Sequence, residues 1–158
     1  RLFSGYFINN KNINNDYFDF SLDRPTDYLY DYNYYGRSEN NGFFSQQIIM
    51  AEGGFKSKLA NSSTNNFIST INLSSTLWKN LLIYIDLGVL NTKTNKSFKM
   101  VYDSGVRLNI IADYFEIYFP IKSSNGFEIK DPNYNEKIRF LFTFEPDVLL
   151  GLFRRKWY

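Results

Sequence analysis

The sequence predicts an all-β fold: an antiparallel transmembrane β-barrel of about eight strands, or the C-terminal part of a larger barrel, with a short C-terminal amphipathic helix. Three observations predict it. Long segments alternate apolar and polar residues with period two, as in Leu81 to Val89, whose odd positions are all aliphatic. Successive side chains of a strand point to opposite faces, so one face is greasy and the other wet. Loop lengths then alternate between tight and long, the two-rim asymmetry of an outer-membrane barrel. Finally, aromatic residues make up 20% of the 158 residues, which suits strands and membrane interfaces.

Composition narrows the function classes. A formal charge of +2 gives no case for nucleic-acid binding. The chain has neither cysteine nor histidine, so a disulfide, a thiolate site, a His-ligated zinc and a Ser-His-Asp triad are impossible within it. No apolar run approaches the ~18 residues of a spanning helix. The sequence begins at Arg1 without Met or a signal peptide, as expected of a mature product or a piece of something longer.

The elements follow in order. Leu2 to Ile8 is a first strand, followed by an Asn-rich loop, and Asp16 to Leu22 continues the alternation through Phe18, Phe20 and Leu22. Tyr28 to Arg37 is a second strand with Tyr28, Tyr30, Tyr32 and Tyr34 on one face. Phe43 to Leu59 is a third, with Gly53-Gly54 marking a bulge or bend. Asn66 to Leu77, Leu81 to Leu90, Phe98 to Ile110, Tyr114 to Lys122 and Lys137 to Phe144 complete the set. All of these five but the last reach the ~9–11 residues that a tilted strand needs to cross a bilayer.

Parity fixes a register. A three-residue turn at Trp78-Lys79-Asn80 pairs Leu77 with Leu81, Leu73 with Ile85 and Asn72 with Asp86. Apolar then meets apolar and polar meets polar. A two-residue turn near Ala112 sets Arg107 opposite Glu116, and other loop lengths leave them near the diagonal.

The lumenal set is Asp86, Lys99, Asp103, Arg107, Asn109, Glu116, Tyr118, Lys122, Lys137 and Arg139. Asp86, Asp103, Arg107, Glu116, Lys137 and Arg139 carry its polar network. An Arg or Lys facing lipid at mid-membrane costs about 2–4 kcal/mol, which forces this sorting in a barrel. Such a narrow barrel is filled by side chains rather than conducting. The same carboxylates also admit a reading as an acid/base group of the glycosidase type. A salt-bridge network with both signs present is the preferred reading.

After Phe144 the period breaks. Pro146 and Asp147 are helix start signals, and Leu149, Leu152, Phe153 and Trp157 fall on one helical face. Residues 1–145 are therefore assigned to the barrel and 146–158 to a basic amphipathic helix. A ninth strand ending on the aromatic Tyr158 is the rival reading. Trp78, Tyr114, Arg154, Arg155, Trp157 and Tyr158 are the candidate membrane-interface residues. The tyrosines from Tyr28 to Tyr35 suit an aromatic girdle or a rim that stacks sugars or peptides equally. Glu128 and Asp131 do not match the spacing of an EF-hand loop. No cofactor, metal or catalytic residue is predicted.

Three stretches carry a resemblance. They are Leu22-Asp23-Arg24-Pro25-Thr26-Asp27-Tyr28 through Gly53-Gly54-Phe55-Lys56, then Tyr102-Asp103-Ser104-Gly105-Val106-Arg107-Leu108-Asn109, then Asn133-Tyr134-Asn135-Glu136-Lys137-Ile138-Arg139-Phe140 to Trp157-Tyr158. Together they resemble the C-terminal region of Bacteroidota envelope proteins of the M1-like (gluzincin) metallopeptidase family. In that family the zinc-binding HExxH helix lies upstream. The resemblance implies that this chain is the barrel portion of a larger protein and carries no peptidase chemistry itself.

The expected role is an outer-membrane anchor for an upstream domain or another envelope subunit, with outer-membrane lipid as its surroundings. A soluble eight-stranded barrel holding a small lipophile is one alternative, and an outer-membrane barrel enzyme using carboxylates is the other. Periodicity alone does not separate the inner face from the outer.

Overall fold

The computed structural model describes residues 1–8, 19–23, 41–111 and 114–143. Among them are strands β1 (Leu2–Tyr6), β2 (Phe20–Ser21), β3 (Ser63–Thr64), β4 (Phe67–Trp78), β5 (Leu81–Asn91), β6 (Lys99–Ile111), β7 (Phe115–Ser123), β8 (Gly126–Phe127) and β9 (Arg139–Phe142). Two 3-10 turns, Phe43–Gln46 and Glu128–Lys130, and one helical turn α1 (Tyr134–Lys137) lie between strands. The fold is a mainly antiparallel β-sheet in the order β1-β4-β5-β6-β7, with β8 and β9 both pairing β7. β9 pairs Phe115 to Tyr118, and β8 pairs Lys122 and Ser123. β2 and β3 form a separate pair.

The β4–β5 register has Leu73 opposite Ile85 and Asn72 opposite Asp86. The turn itself differs from expectation. Lys79 and Asn80 make a two-residue turn, Trp78 pairs with Leu81, and Leu77 is left as the extra residue of a bulge. Lys79 has φ 36°, the left-handed backbone that tight hairpin turns require.

At the β6–β7 corner Asn109 faces Glu116 and Arg107 faces Tyr118, with an irregularity between Asn109 and Ile111. Arg107 and Glu116 are therefore diagonal neighbours, not directly opposed as a two-residue loop would have them. A second irregularity puts Ser104 opposite Lys122 and Gly105 opposite Pro120, leaving Ile121 unpaired. The bulged residue flips the parity beyond it.

Two expected strands are corrected. Phe43 to Leu59 is not a strand. After the 3-10 turn its chain makes one parallel bridge, Gln47 with Phe140, and then crosses one face of the sheet. Burial alternates only as far as Gly53, and Gly53 to Ser57 are all buried. Enclosure on every side is what a segment laid onto a sheet experiences, not a strand with one wet face. The last strand is shortened to Arg139–Phe142, because its expected start, Lys137, closes α1 instead. The expected strand Tyr28 to Arg37, the helix of 146–158 and most of the loop before Phe20 lie outside the described residues.

The crossing segment is held by backbone and by packing. Gly53 N–H donates to the Ser21 carbonyl, and Leu22 both receives from Phe55 N–H and donates to Ser62. Leu22, Phe55, Leu59, Ile68, Leu90 and Val101 form the apolar cluster beneath it, flanked by Phe3 and Phe20. A Cβ at Gly53 would stand 2.4 Å from the Leu22 Cα, so only glycine admits this approach.

The two sheet faces differ in kind. Along β5 the even residues are buried and the odd ones, apart from the half-buried Val89, exposed up to Leu90. The buried face carries Leu82, Tyr84, Asp86, Gly88 and Leu90. The exposed face carries Leu81, Ile83, Ile85 and Leu87, joined across β4 by Ile71 opposite Leu87 and Leu73 opposite Ile85. Aliphatic side chains line the open face, while the covered face holds charged groups beside the apolar cluster.

Candidate functional site: the buried polar face

Strand pairing sets Asp86 directly opposite Asp103, and both are fully buried. Like charges in opposed positions destabilise a sheet, and a buried charge must be paired or saturated with donors. The covering segment supplies both remedies. Lys56 Nζ lies 2.9 and 2.8 Å from the two carboxylate oxygens of Asp86. Asn72 Nδ2 donates to the same group at 2.9 Å. Asp103 accepts from the backbone N–H of Lys56 at 3.0 Å and of Ser57 at 2.8 Å, and from Ser57 Oγ at 2.9 Å. One dipeptide thus satisfies two strands.

Lys56 is 2% exposed. Its ammonium also stands 5.1 Å from the Tyr84 ring centre and 5.5 Å from that of Tyr118, within reach of cation–π attraction. Asn72 ties the network to the chain on either side, donating to the Gly53 carbonyl and accepting from Arg1 Nη1 at 3.0 Å each. Gly54, with φ 68°, sits where a Cβ would strike the Arg1 guanidinium.

A second group lies nearer the β6–β7 corner. Arg107 and Glu116 approach to 3.5 Å, and the Tyr118 hydroxyl donates to Glu116. Arg139 Nε donates to the Lys56 carbonyl at 3.3 Å and Nη1 to the Glu136 carbonyl at 3.1 Å. Five of the six expected network residues, Asp86, Asp103, Arg107, Glu116 and Arg139, therefore share the covered face.

Lys137 is the exception. On α1 it pairs with Glu128 and with Asp131, the latter at 2.8 Å, and Ser123 donates to Glu128. Hydrogen bonds to Asp131 and Glu128 raise the Lys137 ammonium above its ordinary range, and the Lys137 bond holds the Asp131 carboxyl below its own. Lys122, also expected inside, is exposed over the Phe127 ring at 5.1 Å, because the bulge at Ile121 turns it outward and turns Ser123 in. Lys99 is exposed too, at the end of β6, donating to the Ala60 carbonyl at 3.1 Å.

Trp78 is 72% exposed and closes β4, and Tyr114 opens the way into β7, so both stand at the tight-turn rim. Arg154, Arg155, Trp157 and Tyr158 lie outside the described residues.

Sequence reasoning missed Lys56 and Ser57, which lie within the misassigned third strand. A signal existed. Pairing β5 with β6 in register brings two acids together with no base at the neighbouring inward positions Tyr84, Gly88, Val101 and Gly105, so a cation must arrive from elsewhere in the chain. Gly53-Gly54, read as a bulge, marks where the backbone is small enough to deliver it.

Asp23 is half-buried, and the desolvation of its carboxyl pushes it up to about 6 despite a hydrogen bond from Ser62. Its Oδ1 has no hydrogen-bond partner. Among the described residues no three His, Cys, Asp or Glu side chains are grouped to hold a metal ion, and no helix is long and apolar enough to cross a membrane. No family model, curated protein or solved structure matches the chain.

Proposed function

We propose that this chain is a β-barrel module of the bacterial outer membrane that anchors an upstream domain or a partner subunit there. Its aliphatic face meets lipid, and its polar face, filled by residues 47–59, forms a closed lumen. The chain's own carboxylates serve packing rather than catalysis. The resemblance to M1-like envelope proteins adds that the anchored domain is a peptidase of that type.

The single observation that carries this reading is the inverted sidedness of the sheet. Leaving one Leu or Ile fully in water forgoes about 1.5–3 kcal/mol of burial, and Ile71, Leu73, Ile83, Ile85 and Leu87 stand side by side each about half exposed. Contiguous patches of that kind mark an interaction surface or a membrane. Meanwhile Lys56, Asp86, Asp103 and Arg139 occupy the interior. A soluble barrel built to hold a lipophile requires the reverse sorting. The strand lengths agree as well: β4, β5, β6 and β7 have 12, 11, 13 and 9 residues, close to the ~9–11 needed for a tilted crossing.

The test is electrophoretic mobility with and without boiling, after refolding in detergent, in lipid vesicles and in plain buffer. A heat-sensitive shift that requires detergent or lipid, with β-type circular dichroism, is the expected result. A folded monomer in plain buffer contradicts the proposal.

A further inference from the structure

A cleft of about 620 Å³ opens at the long-loop rim, between the Phe43–Gln46 turn and residues 133–139. That volume lies within the range of small-molecule sites. Its walls are tied together. Gln46 Nε2 donates across to the carbonyls of Asn135 and Ile138, and the Phe43 ring stacks on Phe140 with centroids 4.6 Å apart and planes 11° from parallel. The stack uses one face of Phe43, and the residue remains 62% exposed.

The lining offers an apolar ring, amides and cations, with the carboxylates of Asp131 and Glu136 beside them. Phe43 offers a flat apolar ring. Asn41, Asn133 and Asn135 bring amides, each both donor and acceptor. Lys58 and Arg139 bring two positive charges, and burial, followed by the nearby Arg139, lowers the Lys58 ammonium against the pull of Asp23. The other lining cation, Lys137, is already engaged by Asp131 and Glu128.

We infer that this cleft binds an acidic saccharide, its ring stacked on Phe43, its hydroxyls on the asparagine amides and its carboxylate on Lys58. An inorganic anion would use the cations but neither the ring nor the amides. A neutral sugar would make no use of the Lys58 charge, which Asp23 engages only through space. The inference does not depend on membrane insertion, since the cleft is lined by loop residues together with Lys58 of the crossing segment and Arg139 at the start of β9.

Calorimetric titration of the folded chain with a glucuronate-terminated disaccharide tests it, with the glucose-terminated counterpart and inorganic phosphate as comparators. A hydrogen bond to a charged group predicts roughly tenfold tighter binding of the acidic sugar than of the neutral one. Lys58→Ala, at an exposed position, should erase that preference without unfolding the chain, and Phe43→Ala should weaken both sugars. The inference fails if the acidic sugar does not bind saturably, if phosphate displaces it at equal concentration, or if Lys58→Ala binds it as the parent does. If Phe43→Ala does not fold, the Lys58→Ala comparison decides alone.

Discussion

Lys56 is the residue on which the interior depends. It neutralises Asp86, and its own backbone, with that of Ser57, saturates Asp103. Removing one partner of a buried ion pair costs about 3–5 kcal/mol, because the other charge is stranded, whereas replacing both with apolar groups is often neutral. Lys56→Ala should therefore destabilise the chain by about that amount in urea unfolding, and Lys56→Met with Asp86→Leu should recover most of the loss. A double variant as unstable as the single one would contradict this account of the pair.

Asp23 gives a pH dependence with a definite sign. Its folded pKa of about 6 lies above the 3.8 of the free group, so the folded state binds the proton more tightly than the unfolded one. The stabilisation is complete below about pH 4 and is lost as pH rises through about 6. The magnitude is about 1–2 kcal/mol after allowing for partial exposure. Unfolding midpoints measured from pH 4 to 7 should fall in the parent chain. That portion of the fall should vanish in Asp23→Asn, and an unchanged slope would remove the assignment.

At the scale of the element, the crossing segment is the part that a substitution can detach. Gly53→Ala places a Cβ against the Leu22 backbone, which cannot yield as a side-chain tip can. An overpacking cost of about 1–3 kcal/mol is expected. It should appear as faster proteolysis within residues 47–59 while the β4–β7 amides keep their hydrogen-exchange protection. Uniform loss of protection would mean that segment and sheet unfold as one.

The same segment marks the limit of what the sequence discloses. β4 to β7 were legible because each has one face of each polarity, so period two shows where the strands run and which residues are opposed. Asn72 opposite Asp86 follows directly. The bulges at Leu77 and Ile121 were not legible, since one extra residue leaves composition unchanged while reversing the faces beyond it, and Lys122 was misplaced for that reason. Residues 47–59 were hidden more deeply. A chain enclosed on both sides carries no alternation, and its polar residues match partners far away in sequence. Asp86 and Asp103 were legible as interior groups, but their cation was not.

For the molecule as a whole, the open face is aliphatic where a water-soluble sheet is polar, and the covered face holds buried charges beside an apolar cluster. Charges are collected under one strap of chain, and aliphatic residues are spread over the open surface. The proposed membrane barrel gives both halves of that arrangement one cause, because a lipid-facing surface must be apolar while the enclosed face is free to be polar.

The chain has no cysteine, so a single one introduced at Ile85 can be labelled uniquely. The most direct measurement is the collision accessibility of a nitroxide at Ile85→Cys in vesicles, compared with one at Asn95→Cys in the exposed β5–β6 loop. The account predicts that the label at 85 is reached by oxygen and shielded from a water-soluble nickel complex, with the reverse at 95. Equal access of the nickel complex to both sites would contradict it, because the aliphatic face would then be facing water.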